Sequence, residues 1–238
     1  MIRYSVIIPF KDEDKNIKPL IEELEVVMDQ LKTPWELIAI DDGSKDNTLS
    51  ILKNLAKEKN HFRILSFTRN FGQSSAFAAG FEAALGEYII TLDGDGQNNP
   101  ADIPSLINEM KSVDLVCGWR RDRSDPWHKK IISFFSNSIR SRLCQDHVHD
   151  TGCSLKIFRK MALKKIKLFH GMHRFFPALF QIEGFKVKEV PVTHRPRTRG
   201  KSKYHLFNRS LSPIADMFVV LWMRKRHLRY EISNEEKK

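Results

Sequence analysis

The chain has 238 residues, of which 41% are hydrophobic and 29% are charged. This length suits one large domain with a short appendage, and the composition excludes a fibrous or wholly disordered protein. No stretch approaches the roughly 20 apolar residues of a membrane-spanning helix, and the first residues do not resemble a signal peptide. The three cysteines form no CxxC pair, as expected of reduced thiols. We therefore expect a cytoplasmic protein.

Charge is distributed unequally along the chain. Residues 1–117 contain 12 Lys and Arg against 19 Asp and Glu, whereas residues 118–238 contain 28 against 10. The acidic half suits the binding of a metal ion, and the basic half suits an anionic partner such as a phosphate, a nucleic acid or a lipid surface. Composition alone does not distinguish among these partners.

The first half alternates short apolar runs with segments of helical spacing. The apolar runs predict strands at Tyr4–Pro9, Trp35–Ile40, Phe62–Phe67 and Tyr88–Leu92, and the spacing predicts helices at Ile17–Leu31, Thr48–Lys59 and Gln73–Leu85. This alternation predicts an α/β fold with a mostly parallel, Rossmann-like sheet. Ligands bind beyond the carboxyl ends of such strands, so the polar strand ends define the candidate site.

The pattern is looser in the second half. It predicts helices at Ile131–Leu143 and Lys156–Lys165, a strand at Lys186–Val192, and a helix at Leu211–Leu228 that runs into the cationic cluster Arg224–Arg229. We expect residues 206–230 to form an amphipathic basic helical extension and residues 231–238 to form a flexible tail. An apolar helix beside a cationic cluster suits contact with an anionic membrane surface.

Carboxylates follow two of the predicted strands. Asp93 and Asp95 lie two residues apart after one strand, and carboxylate oxygens at this spacing suit Mg²⁺ or Mn²⁺. Gln97 adds a neutral oxygen ligand. The alternative is a turn without a ligand. Asp41 and Asp42 follow another strand, where a capped turn is as consistent with the sequence as nucleotide binding.

Two basic segments suit the binding of phosphate. Arg195–Lys203 places five cations around a proline and a glycine, and such a segment can hold a diphosphate through forked arginine contacts. Arg120–Arg123, together with Lys129 and Lys130, forms a second cluster. For both segments, a solvated basic loop is the alternative.

Taken in order, the polar motifs resemble those of the family two glycosyltransferases of the GT-A fold. Within that family they are most similar to the polyprenol-phosphate sugar synthases, the branch of dolichol-phosphate mannose synthase. The resemblance covers roughly residues 3–220. The motifs that carry it are Ser5–Pro9, Asp41–Ser44, Arg69–Gly72, Asp93–Gln97, His149–Cys153 and the stretch from His194 to Tyr204.

The resemblance implies a GT-A catalytic domain over residues 1–205, with helices on both faces of the sheet. It implies Asp95 and Gln97 as ligands of Mg²⁺ or Mn²⁺, with Asp93 close to the sugar and the nucleotide. The residues that it assigns to the nucleoside are Pro9, Glu13, Asp41 and Asp42. Many relatives have an aromatic residue where this chain has Lys11, so the chain departs there from the base-stacking pattern.

The resemblance also implies which cations contact phosphates. Arg120 and Arg197 match the arginines of the two phosphate-contacting motifs, Ser202 and Lys203 complete the later motif, and Lys129 is a further candidate for the acceptor phosphate. We count Asp150 among the catalytic candidates. It would orient acceptor groups or the basic cluster, or act as the base if the acceptor were a hydroxyl.

The function expected from this resemblance is inverting transfer of a hexose from a UDP- or GDP-sugar to a polyprenyl or dolichyl phosphate. The enzyme would act peripherally at the cytosolic face of a membrane, with a membrane-anchoring subunit as a possible partner. A phosphate acceptor is already anionic at neutral pH, so it needs no dedicated base. The alternatives are transfer to a sugar hydroxyl in glycan assembly and a non-catalytic nucleic-acid-binding protein. Because the acidic strand ends would repel a nucleic acid, we expect no nucleic-acid partner.

Overall fold

The computed structural model of the protein describes residues 1–121, 140–142, 144–196 and 212–228. Seven strands form one sheet: β1 (Tyr4–Phe10), β2 (Trp35–Asp41), β3 (Phe62–Ser66), β4 (Tyr88–Thr91), β5 (Leu115–Trp119), β6 (Lys156–Arg159) and β7 (Val187–Pro191). The helices are α1 (Ile17–Gln30), α2 (Thr48–Glu58), α3 (Gln73–Ala83), α4 (Ile103–Glu109), α5 (Lys160–Leu163), α6 (Phe176–Ile182) and α7 (Ser212–Arg226). Two short 3₁₀ turns occupy Pro100–Asp102 and Met172–Arg174.

The sheet is mostly parallel. The strand order is β3-β2-β1-β4-β6-β5-β7, and β6 pairs antiparallel with both of its neighbours while every other pairing is parallel. The predicted α/β class with a mostly parallel sheet is therefore confirmed. Since β1, β2 and β4 are adjacent and parallel, their carboxyl ends meet at one edge of the sheet.

Helices cover both faces of the sheet, as predicted. Along β1, Val6 and Ile8 lie in the apolar cluster that contains α1 and α4, whereas Ile7 lies in the cluster that contains α3 and α6. Successive side chains of a strand point to opposite faces, so a strand covered on both sides has to be apolar throughout. This explains why β1 and β2 appear in the sequence as continuous apolar runs.

Most of the predicted elements are present with ends that agree to within two residues. The helix predicted at Lys156–Lys165 is wrong over its first part, because Lys156–Arg159 forms strand β6 and only Lys160–Leu163 is helical. The backbone of β6 pairs with β4 on one side and with β5 on the other, and these pairings override the local helical pattern. Most of the helix predicted at Ile131–Leu143 lies outside the described residues.

Helix α7 packs against the body of the protein through one face. Its Val220 is fully buried in the same apolar cluster as α6, whereas Ile214, Phe218 and Trp222 are 45%, 59% and 61% exposed. Within the described parts of the chain, none of the helices is both long enough and apolar enough to cross a bilayer. The division of the chain at residues 205 and 230 stays a prediction.

A buried carboxylate at the amino-terminal end of β2 leads to a prediction about the stability of the protein. Glu36 accepts hydrogen bonds from Ser5 Oγ (2.6 Å), the Leu85 amide (2.7 Å) and the Arg63 guanidinium (2.6 Å). We expect Glu36→Ala to lower the free energy of unfolding by about 3 kcal/mol, because it leaves buried donors without an acceptor. Urea denaturation measures this loss. The exposed Glu58→Ala is the control and should change stability by less than about 0.5 kcal/mol; equal effects would contradict the prediction.

Candidate active site

A cleft of about 490 Å³ opens at the carboxyl edge of β1, β2 and β4. Its walls come from the loop after β1, from Asp42, from Asn70 and the start of α3, from the turn Asp93–Asp95 and from the segment His170–Arg174. The strand ends that the sequence singled out therefore come together in one cleft. The segment His170–Arg174 joins them from a part of the chain to which the sequence assigned no role.

Asp93 lies on the cleft wall directly beyond β4. Gln73 Nε2 donates a hydrogen bond to the Asp93 carboxylate over 2.7 Å. The backbone amide of Asp93 donates to Asn98 Oδ1 over 3.1 Å. Burial raises the pKa of Asp93 to about 6, and repulsion by the neighbouring Asp95 adds to the shift. Two carboxylates held this close favour a cation between or beside them, because a cation relieves both the burial and the repulsion of their charges.

Asp95 and Gln97 complete this acidic turn. The Gln97 amide donates to Asp95 Oδ1 over 3.1 Å, and the Gln97 side-chain nitrogen lies 3.4 Å from His194 Nε2 and 3.3 Å from the Arg195 carbonyl oxygen. The nitrogen of the amide group thus faces the protein. The oxygen donors of this turn suit a hard divalent ion such as Mg²⁺.

The described residues contain no cluster of three His, Cys, Asp or Glu side chains that would enclose a metal ion by itself. A Mg²⁺ ion that is held by one or two carboxylates completes its coordination with water and substrate phosphates. The acidic turn therefore fits an ion that binds together with a diphosphate.

The two carboxylates after β2 have different positions. Asp42 lies on the cleft wall and accepts hydrogen bonds from the amides of Phe71 (2.7 Å) and Gly72 (3.0 Å). Asp41 is 1% exposed and accepts from the Ser44 amide over 3.2 Å. In this structure, both carboxylates hold the loops that build the cleft.

Gly43 separates the Asp41–Asp42 pair from the rest of the turn. Its φ is +65°, and a Cβ atom there would lie 2.4 Å from the carbonyl carbon of Arg69. Glycine is required both by the left-handed backbone and by this close approach.

The end of β1 contributes Pro9 to the cleft, and the loop after β1 contributes Lys11 and Glu13. The Glu13 carboxylate accepts a hydrogen bond from Asn16 Nδ2 over 2.6 Å. The backbone amide of Glu13 donates to Thr48 Oγ1 over 2.8 Å. Lys11 Nζ donates to the carbonyl oxygen of Gly43 over 2.5 Å. Lys11 thus links this loop to the turn after β2.

Arg120 and Asp150 form an ion pair of the forked type. Arg120 Nε and one terminal nitrogen donate to the two Asp150 oxygens over 2.7 and 2.8 Å, and the Arg120 amide donates over 3.2 Å. The side chains are only 14% and 8% exposed. Burial opposes the charge of Arg120, but the Asp150 carboxylate outweighs it and raises the pKa of Arg120. Asp150 is therefore engaged with Arg120, and its role in orienting acceptor groups or the basic cluster stays a prediction.

His173 and Arg174 were not identified from the sequence, although the pattern His170-Gly171-Met172-His173-Arg174 concentrates three nitrogen bases in five residues. His173 Nδ1 lies 2.8 Å from Ser74 Oγ. Burial lowers the pKa of His173 to about 3, and the positive charges of Arg174 and Lys156 contribute to the shift. His173 is therefore neutral at pH 7.

The sequence also missed the burial of Lys156, which is 2% exposed. Its ammonium group donates to the carbonyl oxygens of Thr151 and Cys153. Four predicted site residues, Lys129, Arg197, Ser202 and Lys203, lie outside the described residues.

Solved structures with the same architecture identify the class of fold. Glucosyl-3-phosphoglycerate synthase from Mycobacterium tuberculosis, solved with Mn²⁺, UDP-glucose and phosphoglyceric acid, superposes with a TM-score of 0.67 at 16% identity and covers 94% of this chain and 79% of its own. Residues 1–349 of S. aureus TarS, solved with UDP-GlcNAc, superpose with a TM-score of 0.62 at 19% identity and cover 97% of this chain and 68% of their own. The fold is that of GT-A glycosyltransferases.

The family follows from the sequence comparison. Residues 5–167 match the model of "Glycosyl transferase family 2", and the chain belongs to that family.

Two relatives are similar over most of the chain. Dodecaprenyl-phosphate galacturonate synthase of Rhizobium johnstonii is 38% identical over 94% of this chain and 68% of its own length. Undecaprenyl-phosphate 4-deoxy-4-formamido-L-arabinose transferase of Proteus mirabilis is 35% identical over 85% of this chain, which spans 63% of that protein.

The Arg120–Asp150 pair generates a prediction that a double-mutant cycle tests. Asp150→Ala should lower the free energy of unfolding by about 3–5 kcal/mol, because it leaves a largely buried guanidinium without its partner. Arg120→Met in the Asp150→Ala background should restore part of that stability, since it removes the unpaired charge. Chemical denaturation of the two single variants and the double variant gives the coupling free energy. Additive losses would contradict a specific ion pair.

Proposed function

We propose that the protein is an inverting glycosyltransferase that transfers a hexose from a UDP- or GDP-sugar to a polyprenyl or dolichyl phosphate. The observation that carries the proposal is the acidic turn Asp93–Asp95 on the wall of a cleft that basic residues also line. The two relatives, whose names describe sugar transfer to or on polyprenyl phosphates, support the same acceptor class.

The donor binds along the strand ends in this proposal. Asp95 and Gln97 would hold Mg²⁺ or Mn²⁺, Asp93 would lie beside the sugar, and a bound ion would supply positive charge to the diphosphate leaving group. Two of the structural neighbours contain Mn²⁺ with UDP or UDP-glucose, in support of such an ion. Pro9, Glu13, Asp41 and Asp42 hold the nucleoside, the last two by shaping the surrounding loops.

The acceptor phosphate supplies its own nucleophilic oxygen, so the site needs no general base. This agrees with the hydrogen bonds that engage Asp150 with Arg120. We assign Arg120 and Lys129 to the acceptor phosphate, and Arg197, Ser202 and Lys203 to the donor diphosphate. Arg120 has one terminal nitrogen outside the fork that Asp150 binds, and this nitrogen is the one that can contact a phosphate.

A polyprenyl phosphate stays in the bilayer, so the enzyme has to reach it at the membrane surface. We propose that the protein is cytoplasmic and peripheral, and that the exposed face of α7 contacts the lipid. Phe218 and Trp222 supply apolar area, and the helix ends in Arg224, Lys225 and Arg226. Each basic residue near an anionic surface contributes about 1 kcal/mol. A membrane-anchoring subunit would be an additional contact.

The proposed reaction is tested by labelling a polyprenyl phosphate with UDP- and GDP-sugars compared side by side. Asp95→Ala should abolish transfer and remove the Mn²⁺ dependence of nucleotide affinity, because it deletes an oxygen ligand of the ion. The exposed Glu82→Ala is the matched control and should behave as the wild type. An unchanged Mn²⁺ dependence in Asp95→Ala would contradict the metal assignment. Transfer to a sugar hydroxyl instead of the lipid phosphate would contradict the acceptor.

Binding to the membrane is tested by co-sedimentation with anionic vesicles. The double variant Phe218→Ser with Trp222→Ser should pellet several-fold less than the wild type, because its exposed face loses the apolar area that enters the interface. The control combines Val26→Ser and Leu85→Ser, which are equally exposed apolar residues elsewhere. Equal losses in the two double variants, or none in either, would exclude α7 as the specific contact.

A further inference from the structure

Arg174 lines the cleft but belongs to none of the motifs that the sequence singled out. We propose that Arg174 binds an oxyanion of the substrates other than the donor diphosphate, either the acceptor phosphate or a carboxylate on the transferred sugar. The inference rests on the proposed function and extends it to a cleft residue in the segment His170–Arg174.

The position of Arg174 is determined by the segment that carries it. Ser74 Oγ lies 2.8 Å from His173 Nδ1 and accepts from the Gly171 amide over 3.0 Å. The preceding residue, Gln73, donates to Asp93 over 2.7 Å. One end of α3 thus holds the segment that carries Arg174 and the acidic turn in the same cleft.

Arg174 is available for a ligand. It lines the cleft and is half-buried. Within residues 1–121, 140–142, 144–196 and 212–228, its guanidinium makes neither a hydrogen bond nor an ion pair closer than 4 Å. Arg120, by contrast, gives two nitrogens to Asp150. The forked donor of Arg174 matches the oxygens of a phosphate or a carboxylate.

The four carboxylates of the cleft favour a cation in addition to Lys11. Glu13, Asp42, Asp93 and Asp95 all line the cleft, and they would repel an acceptor phosphate or an acidic sugar. A divalent ion held by Asp95 and Gln97 would compensate the donor diphosphate, so a second anion would need a separate positive group. His173 is neutral at pH 7 because burial lowers its pKa to about 3, which leaves Arg174 as the permanent charge of its segment.

Arg174 also acts electrostatically on Asp216 of α7. Asp216 lies close against Gly171, where a Cβ atom would be 2.3 Å from Asp216 Oδ2. A purely structural explanation follows from this contact: Arg174 would serve only to neutralise Asp216. The two explanations predict different results for Asp216→Asn, which removes the charge and keeps the shape.

The experiment measures direct binding to the full chain by calorimetry, with Mg²⁺ and the nucleoside diphosphate that binds, UDP or GDP, at saturation. One arm titrates a short-chain polyprenyl phosphate and the other titrates galacturonate. The variants are Arg174→Gln, Arg174→Lys, Arg174→Gln with Asp216→Asn, and the exposed control Arg142→Gln. Thermal melts show that each variant is folded, and Arg174→Lys keeps the charge if Arg174→Gln is unstable.

We expect Arg174→Gln to weaken one of the two ligands at least tenfold, and Arg174→Lys to weaken it less, while nucleotide affinity stays within twofold. Loss in the phosphate arm identifies the acceptor as the source of the oxyanion, and loss in the galacturonate arm identifies the sugar. Asp216→Asn should not restore binding. Restoration by Asp216→Asn, unchanged binding in both arms, or a wild-type protein that binds neither ligand would each overturn the inference.

Transfer assays separate this inference from the proposed function. If binding depends on Arg174 but no lipid is labelled by the wild type, the proposed function fails and the inference stands. If the wild type labels the lipid and Arg174→Gln does so with unchanged KM for donor and acceptor, the inference fails and the proposed function stands.

Discussion

The start of α3 forms hydrogen bonds to three different parts of the cleft. The residues that make these bonds are Gly72, just before the helix, and Gln73 and Ser74 in its first turn. The Gly72 amide donates to Asp42, Gln73 donates to Asp93, and Ser74 bonds the His173 ring. The bonds to Asp42 and Asp93 stabilise the ionised carboxylates, since a hydrogen bond donated to a carboxylate favours its charged form. The geometry of the cleft therefore depends on one helix terminus, which the parallel strands on either side place at the edge of the sheet.

The described site combines groups from the acidic and the basic halves of the chain. The acidic turn Asp93–Asp95 belongs to the acidic half, and Arg120 and Arg174 belong to the basic half. This division suits a reaction in which a diphosphate departs while another anion arrives. Positive groups near both anions would reduce the repulsion between them, because charges in a partly desolvated cleft are screened less than in bulk water.

The two arginines of the described site have different surroundings and so different roles. Arg120 is held by Asp150 in a fork that is largely buried, and its orientation is consequently a structural feature as well as a functional one. Arg174 lies on the cleft wall and makes no ion pair within 4 Å among the described residues, although it acts electrostatically on Asp216. A guanidinium that keeps its charge at every physiological pH, and whose fork is not bound by a neighbouring carboxylate in the described part of the chain, is suited to an incoming oxyanion.

The sequence alone determined the alternating strands and helices from β1 to β4 and the carboxylates at the strand ends. Each depends on residues that are near one another in the chain: a buried strand is an apolar run, and a polar group directly after it must lie at the sheet edge. The ordered motifs were also sufficient to identify the family. Only the tertiary structure decided that Lys156 begins a strand, that Asp150 pairs with Arg120, and that the segment of Arg174 reaches the cleft. These outcomes depend on contacts between residues 30 or more positions apart, for which the local pattern contains no partner.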